Sequence, residues 1–323
     1  MAKGETQMRH FAAGEIDAAL DFPSLIDALA EAFRGGFHAP ERHHHPIERP
    51  GEPSATALLM PAWTEFGSGD DYLGAKIVNV FPGNGARGLP AVHGVYVLQS
   101  GATGVPIATL DGTRLTVWRT AAASALAARY LARADAQRLL IVGAGQLAPY
   151  LARAHASIRP IKTIAVWNHR TAGAHRLAAA LADQGFNAHV VTRLEDGVRE
   201  ADLISCATLS EAPLVLGAWL RPGQHLDLVG AFSMRMREAD DAALKRARIF
   251  VDTEAALDEG GDVALGLRSG AIARADVAGD LAGLVRGAPG RTAANEITLF
   301  KSVGASIEDL AAAMLVWKRA GEP

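Results

Sequence analysis

The feature that most constrains this chain is the run Leu139-Leu140-Ile141-Val142-Gly143-Ala144-Gly145-Gln146-Leu147-Ala148. An aliphatic stretch that passes directly into Gly-x-Gly-x-x-Ala describes a buried strand, a tight turn and the start of a helix. Gly143 permits the turn, Gly145 lets backbone N–H groups approach a pyrophosphate, and Ala148 lets helix and strand pack closely. Pro149 falls in the first helical turn, where its missing N–H does no harm. The helix N-terminus would then face the phosphates. Such a pattern is weak alone, but strands and helices continue to alternate after it. Strands are expected over residues 139–142, 163–167, 189–191, 203–206, 226–229 and 249–251. Several are continuous aliphatic runs, as in a parallel sheet covered on both faces. The region therefore reads as a doubly wound α/β Rossmann domain.

Upstream of residue 120 the pattern differs. A helix is expected after Phe22-Pro23, with Ser24 and Asp27 as N-cap and partner and Leu25, Ile26, Leu29 and Phe33 on one face. A polar, His- and Pro-rich stretch over 38–53 follows. Strand-like runs come next, over 55–60, 72–81, 92–99 and 106–111, separated by turn formers such as Pro82-Gly83-Asn84-Gly85. This predicts a hairpin-rich antiparallel sheet, then an Ala-rich helix from Thr120 to Arg133. The last segment, 306–319, opens with a Ser306/Asp309 capping pattern and carries Ile307, Leu310, Ala311, Met314 and Trp317 at helical spacing. It is expected to pack back on the first region. The 323 residues thus divide into a discontinuous α+β domain, 1–119 plus 299–323, and an inserted dinucleotide-binding domain, 120–298.

Composition excludes several classes of function. A net charge of -3 gives no electrostatic case for nucleic acid or an acidic membrane surface. No stretch approaches the roughly 18 apolar residues that span a bilayer, and residues 1–36 lack the apolar core of a signal peptide. The single cysteine, Cys206, excludes an intramolecular disulfide framework and a multi-cysteine zinc site, so a cytoplasmic protein is expected. Cys206 follows a buried strand with no evident base, which reads as an inert core thiol.

The charged residues that stand out are cations. Lysines are scarce, only Lys3, Lys76, Lys162, Lys245, Lys301 and Lys318, and Lys76 alone lies in an apolar strand, Leu73 to Phe81. A charge there either points outward on the alternating face or needs a partner. Arg119 lies where the hairpin region hands over to the α/β region, and ligand pockets favour such junctions. Arg42 adds a third cation in an irregular stretch. Together the three would bind a substrate carboxylate and create a positive field that disfavours bulky cationic substrates. His43-His44-His45 invites a metal reading, but successive residues of an extended chain face opposite ways and no further ligand pattern completes a site, so no metal is expected. His93 either faces the site or is an ordinary strand histidine.

After the second α/β strand the chain reads Trp167-Asn168-His169-Arg170-Thr171. An acidic residue there would bind a ribose 2′-hydroxyl and repel a 2′-phosphate. A neutral Asn168 beside Arg170 instead favours NADPH over NADH.

These segments resemble the ornithine cyclodeaminase/mu-crystallin family of oxidoreductases. The matching runs are Gly74-Ala75-Lys76-Ile77-Val78, Gly88-Leu89-Pro90-Ala91-Val92-His93-Gly94, Arg119-Thr120-Ala121-Ala122-Ala123-Ser124-Ala125, Val142-Gly143-Ala144-Gly145-Gln146 and Phe300-Lys301-Ser302-Val303-Gly304. They recur in order over nearly the whole chain. The resemblance implies a substrate and dimerisation domain made of both chain ends, an inserted Rossmann domain and a homodimer. It implies that Arg42, Lys76 and Arg119 hold the substrate carboxylate, with Val303 near the nicotinamide and His93 a further substrate-side candidate. Gln146, Leu147, Asn168, Arg170, Thr208, Val229 and Ser302 would lie along the cofactor, with Thr120, His169 and Gly230 beside them.

One departure separates branches of the family. Its cyclodeaminases place an essential aspartate shortly after the Val-Gly pair that follows the fourth Rossmann strand; here that position is Phe232, which cannot act as acid or base. Cyclodeamination moves protons at several stages, whereas reduction of a cyclic imine needs a protonated C=N, a carboxylate anchor and a hydride donor. The resemblance therefore implies an NAD(P)H-dependent Δ1-pyrroline-2-carboxylate reductase, with the six-membered Δ1-piperideine-2-carboxylate as a second substrate and proline or pipecolate as products. Lys76 is a candidate proton donor unless the iminium arrives protonated. Ornithine cyclodeaminase, an alanine-type amino-acid dehydrogenase and a non-catalytic small-ligand carrier stand as alternatives.

Overall fold

In the computed structural model of the protein, which describes residues 8–67, 69 and 71–321, the strands before residue 112 build one sheet and those after residue 137 build another. One unit holds the chain up to Arg119 and from Ala305 onwards; the other holds Thr120–Gly304. No helix among the described residues is long and apolar enough to cross a membrane.

The first unit's sheet contains β1 (Arg9–Phe11), β2 (Phe37–His38), β3 (His43–Ile47), β4 (Ala55–Thr64), β5 (Tyr72–Val80), β6 (Val92–Ser100) and β7 (Pro106–Asp111). Its order is β1-β7-β6-β5-β4-β2, with β3 paired to β4. Strands β4 to β7 are antiparallel neighbours, while β1 runs parallel to β7 at the edge. Side chains alternate across each strand. Met60, Lys76, Tyr96 and Leu110 consequently form one cross-strand row on the buried face, and Leu59, Ile77 and Val95 form the adjacent row on the open face. The helix Ser306–Ala320 packs against β4, β5, β6 and the helix Phe22–Arg34.

Several boundaries differ from expectation. The stretch around the three histidines is not irregular: β3 supplies partners for the otherwise open edge of β4, and Pro46 is tolerated because, among the described residues, β3 pairs with no strand but β4. Asp21, not Ser24, caps the helix Phe22–Arg34, accepting from Ser24 N at 2.8 Å. The helix expected from Thr120 starts a full two turns earlier, at Gly112, because Asp111 accepts from Arg114 N at 2.8 Å and caps it there. Arg119 therefore sits inside a helix, not in a connection.

The second unit's sheet contains β8 (Arg138–Val142), β9 (Thr163–Trp167), β10 (Ala188–Val190), β11 (Leu203–Cys206), β12 (His225–Leu228), β13 (Arg248–Val251), β14 (Val277–Asp280) and β15 (Thr298–Lys301). All pairings are parallel, in the order β10-β9-β8-β11-β12-β15-β13-β14. The four residues of β11, of β12 and of β15 are all buried, which accounts for their lack of alternation. β15 lies between β12 and β13, so residues 299–304, assigned to the first domain from sequence, belong to this unit.

Candidate active site

The expected cofactor residues, Thr120 apart, collect at the carboxyl ends of the second unit's strands. Gly143, Gly145, Gln146 and Leu147 follow β8; Asn168, His169 and Arg170 follow β9; Thr208 follows β11; Val229 and Gly230 follow β12; Ser302 follows β15. Chain order reverses between β8 and β11, and open α/β sheets leave a ligand crevice at such a reversal. Gly143 occupies it with φ 107°, and a Cβ added there would lie 2.6 Å from Ala207 O, so no other residue fits. A Cβ at Gly145 would meet nothing within 4 Å, leaving open space above the turn. The N–H groups of Gly145, Gln146 and Leu147 make no hydrogen bond among the described residues, just ahead of the helix Ala148–Ile158. Open space, unspent N–H groups and a helix N-terminus suit a pyrophosphate. Thr120, by contrast, is a buried helical residue. Asn168 spends its amide on Arg170 O at 2.9 Å, while His169 and Arg170 are exposed.

Beneath these loops runs a set of buried carboxylates that sequence reading missed. Glu238 accepts from Thr208 N at 2.6 Å, Thr208 Oγ1 at 2.8 Å and Gly230 N at 2.8 Å, tying the ends of β11 and β12 together. Gly230 has to be glycine, since a Cβ there would lie 2.1 Å from Thr208 O and 2.5 Å from Glu238 Oε1. Asp262 accepts from the N–H groups of Glu238 and Ala239 at 2.8 and 2.9 Å and lies 3.2 Å from Lys301 Nζ. Asp252 accepts from Ser302 Oγ, Val303 N and Gly304 N at 2.9, 2.8 and 2.6 Å. Burial, reinforced by the charge on Asp262, pushes Glu238 up to about 7. Deeper in the sheet, Asp227 accepts from Ser124 and Ser205 and lies 3.3 Å from His155 Nε2.

The first unit holds the cation site. Lys76 points to the buried face, not outward, and is 1% exposed. Its partner is Asp309 on the helix Ser306–Ala320, whose carboxylate oxygens lie 2.9 and 2.7 Å from Nζ; Thr116 Oγ1 is at 3.3 Å. Arg119 lies one helical turn beyond Thr116 and donates from Nε to Asp309 Oδ1 at 3.1 Å and from Nη1 to Glu308 Oε2 at 2.8 Å. Asp309 is therefore not the capping partner of Ser306: the helix has Ala305 at its N-cap with no side-chain cap. Burial lowers Lys76 to about 8, with Arg119 adding to the effect and Asp309 opposing it. Burial also opposes the charge on Arg119, but Asp309 and Glu308 outweigh it and raise its pKa. Two cations face two carboxylates, so the expected positive field is cancelled at its source. In the sequence Asp309 carried only a capping signal and Glu308 none. Nothing in their spacing could reveal partners more than 180 residues away.

The other candidates lie on other elements. Arg42 is partly exposed just before β3. His93 is exposed on β6, and His43, His44 and His45 are exposed on β3. Among the described residues no group of three or more His, Cys, Asp or Glu side chains comes together to hold a metal ion. Cys206 is fully buried, and burial holds its thiol well above the usual range, consistent with an inert group. Val303 is partly buried beside Gly260, and Phe232 is 37% exposed just after Ala231, which is fully buried.

The sequence profile of the ornithine cyclodeaminase/mu-crystallin family matches residues 6–322. The chain is 40% identical over 313 residues to the Delta(1)-pyrroline-2-carboxylate reductase of Paracoccus denitrificans, with 96% of each protein covered. It is similar in structure to the Thermococcus litoralis Delta(1)-pyrroline-2-carboxylate reductase in complex with NADH and L-proline, at a TM-score of 0.92 and 31% identity, with 97% of each chain covered. An archaeal alanine dehydrogenase dimer with bound NAD matches at a TM-score of 0.89 and 30% identity, over 97% of this chain and 96% of that one.

Proposed function

The chain belongs to the ornithine cyclodeaminase/mu-crystallin family, and from that premise we propose that it is a nicotinamide-dependent imine reductase converting Δ1-pyrroline-2-carboxylate to L-proline. The six-membered Δ1-piperideine-2-carboxylate is a second substrate of the same reaction. The observation that carries the choice of reduction over cyclodeamination is Phe232: the loop after β12 presents a partly exposed phenyl ring where a proton-transferring carboxylate would be needed. Reduction of the C=N bond takes up one hydride equivalent at carbon and one proton at nitrogen. A bound reduced nicotinamide supplies the hydride equivalent. The glycine turn after β8 and the N–H groups of residues 145–147 would hold its pyrophosphate.

The same reading assigns Arg119 and Lys76 to the substrate carboxylate, with Arg42, His93 and Val303 on the substrate side and Thr120 beside the cofactor. Since Glu308 and Asp309 balance the two cations, a zwitterionic iminium carboxylate is compatible with the cluster. The nitrogen proton can then arrive with the substrate. The exposed Arg170 and the absence of an acidic residue over 167–171 favour NADPH over NADH. A homodimer is supported by the open sheet face, where Leu59, Ile77 and Val95, at 39, 41 and 37% exposure, form an unbroken apolar row across three strands.

A steady-state panel of cyclic imines, ornithine, and 2-oxo acids with ammonia or methylamine, run with both cofactors, tests the assignment. NADPH oxidation that depends on a cyclic imino acid supports it. Ammonia release and proline formation from ornithine, turnover only of pyruvate with an amine, or ligand binding without turnover would each replace it with one of the alternatives.

A further inference from the structure

Among the described residues of the second unit, two large apolar side chains are exposed, Leu209 at 61% and Phe232 at 37%. A single exposed apolar residue is ordinary, but these two share one rim. They follow the adjacent central strands β11 and β12 at their carboxyl ends. The backbone beside each is held. Glu238 accepts from Thr208 N and Gly230 N at 2.6 and 2.8 Å, and Ser210 O accepts from Arg237 N at 2.7 Å. Phe232 N donates to Gly230 O at 2.9 Å, while Ala231 O accepts from Gly261 N and Ser233 O from Met236 N, both at 3.0 Å. The helix Gly261–Arg268 starts hard against this loop, since a Cβ at Gly261 would lie 1.7 Å from Met236 O and 2.7 Å from Ser233 O. The loop has no room to draw back on that side, and Ala231 already fills the buried position before Phe232. The fold therefore presents a phenyl ring to water at a fixed place, which costs free energy until a ligand covers it. Sheet order says which part of a bound cofactor lies nearby. The pyrophosphate belongs at the turn after β8 and the adenosine ribose at the end of β9. The strands run β9-β8-β11-β12, so the nicotinamide end extends over β11 and β12, toward Leu209 and Phe232.

We propose that Phe232 is a specificity-determining residue whose phenyl ring, with Leu209 on the same rim, forms an apolar wall for the hydrocarbon ring of the imino acid. The inference rests on the reading that a cyclic imine is reduced on this rim. A carboxylate anchor alone cannot tell a ring from an open chain, because both carry the same carboxylate and the same C=N bond. The ring methylenes are what differ, and apolar carbon is recognised by the apolar surface it removes from water. Packing the ring on Phe232 takes water from both and holds the C=N carbon in one place for hydride transfer. The wall selects a cyclic imino acid over a short open-chain imine.

The test compares F232A, F232N and F232L with the wild type in the full-length protein. Readouts are Kd for the unreactive ring analogue pyrrole-2-carboxylate by calorimetry, Ki for propionate, a carboxylate without a ring, kcat/KM for Δ1-pyrroline-2-carboxylate, Kd for NADPH, and Tm. F232A should weaken binding of pyrrole-2-carboxylate and lower kcat/KM by about ten-fold or more, the loss of one side chain's apolar contact. Ki for propionate and Kd for NADPH should stay within about two-fold, and Tm should hardly move because the ring is exposed. Leucine and asparagine have nearly the same shape, so they separate apolarity from bulk. F232L should recover ring binding and kcat/KM to within about three-fold of wild type, and F232N should resemble F232A. If F232A leaves ring binding within about three-fold of wild type, or F232N recovers it as well as F232L, there is no apolar wall and the reductase reading stands. Equal losses for pyrrole-2-carboxylate, propionate and NADPH would mark Phe232 as a support of the loop and overturn the proposal. If the wild type reduces no cyclic imine, the reading itself is wrong and the proposal falls with it.

Discussion

Each unit buries a cluster of charge, and the two are built from different partners. In the first, side chain meets side chain: Lys76 and Arg119 face Glu308 and Asp309, and the charges balance. In the second, Glu238, Asp252 and Asp262 outnumber their single lysine, Lys301, and turn mostly to backbone N–H groups, those of Thr208, Gly230, Glu238, Ala239, Thr253, Val303 and Gly304. A carboxylate bound to main-chain N–H groups fixes where a loop runs. A cation bound to a carboxylate along one edge keeps its remaining donors for a ligand. The second cluster thus shapes the rim on which a cofactor would lie, and the first keeps a recognition group on offer.

The largest effect is expected at Arg119. In R119M the two carboxylates lose their common partner in a buried site, a change worth about 3–5 kcal/mol of stability, and the substrate loses its seat. We expect kcat/KM to fall by about 10³-fold or more, the combined size of a lost charged anchor and lost orientation. NADPH affinity, measured by fluorescence titration of folded protein, should stay within about two-fold, because an interaction confined to substrate leaves cofactor binding untouched. Retention of kcat/KM within about ten-fold of wild type would show that the balanced cluster serves stability alone.

Legibility from sequence follows the same division. The glycine turn after β8, the parallel strands and the hairpin sheet announce themselves because local pattern and chain order specify them. Lys76 and Arg119 were singled out because a cation in an apolar run demands explanation. Asp309 and Glu238 were invisible for a complementary reason. Asp309 stands three residues after a serine at the head of a helix, where a capping role explains it fully, and Glu238 follows an arginine in an irregular segment where a carboxylate is unremarkable. Their partners are brought to them by the fold. Thr298–Lys301 failed to read as a strand because four residues ending in lysine carry no period, yet β15 lies between β12 and β13. Likewise Asp111 looked like a strand end, and its role in starting the helix Gly112–Leu131 moved Arg119 from a connection onto a rigid element.

The next effect is at Glu238 and should fall on the other constant. Glutamine at 238 keeps the volume but turns an amide donor toward one of the N–H groups that the carboxylate now accepts, from Thr208 or Gly230. E238Q should weaken cofactor binding by about ten-fold, the cost of one or two charge-assisted hydrogen bonds. KM for the imine at saturating cofactor should hardly change. The group also gives this prediction a pH signature. Burial and the charge on Asp262 raise Glu238 to about 7, so the carboxylate form that accepts three hydrogen bonds is lost as pH falls through that value. NADH, which has no titrating 2′-phosphate, is the appropriate probe. Its Kd for the wild type should rise below pH 7 toward that of E238Q, whose own Kd should stay flat. Parallel pH curves for the two proteins would remove Glu238 as the titrating group, and an imine KM that moved as far as the cofactor Kd would blur the separation between the clusters.

The smallest effect concerns Arg170, which is exposed and outside both clusters. Water screens a charge there, and exposed ion pairs contribute about 0–1 kcal/mol; a phosphate dianion held by an arginine fork lies at the upper end of that scale or somewhat above it. R170S should therefore lower the ratio of kcat/KM for NADPH over that for NADH by about five- to ten-fold, the conversion of roughly 1 kcal/mol or slightly more. The loss should come almost entirely from KM for NADPH, since the adenosine end of the cofactor does not take part in the chemistry and removing uniform binding leaves kcat in place. It should also shrink with salt, because an exposed pair is screened over a Debye length of about 8 Å at physiological ionic strength. That salt dependence separates Arg170 from Arg119: the buried guanidinium, enclosed with Glu308 and Asp309, should show an effect of substitution that is nearly independent of ionic strength. An R170S ratio unchanged from wild type would mean that the turn after β9 tolerates either ribose, and that the missing carboxylate over residues 167–171 reflects no preference.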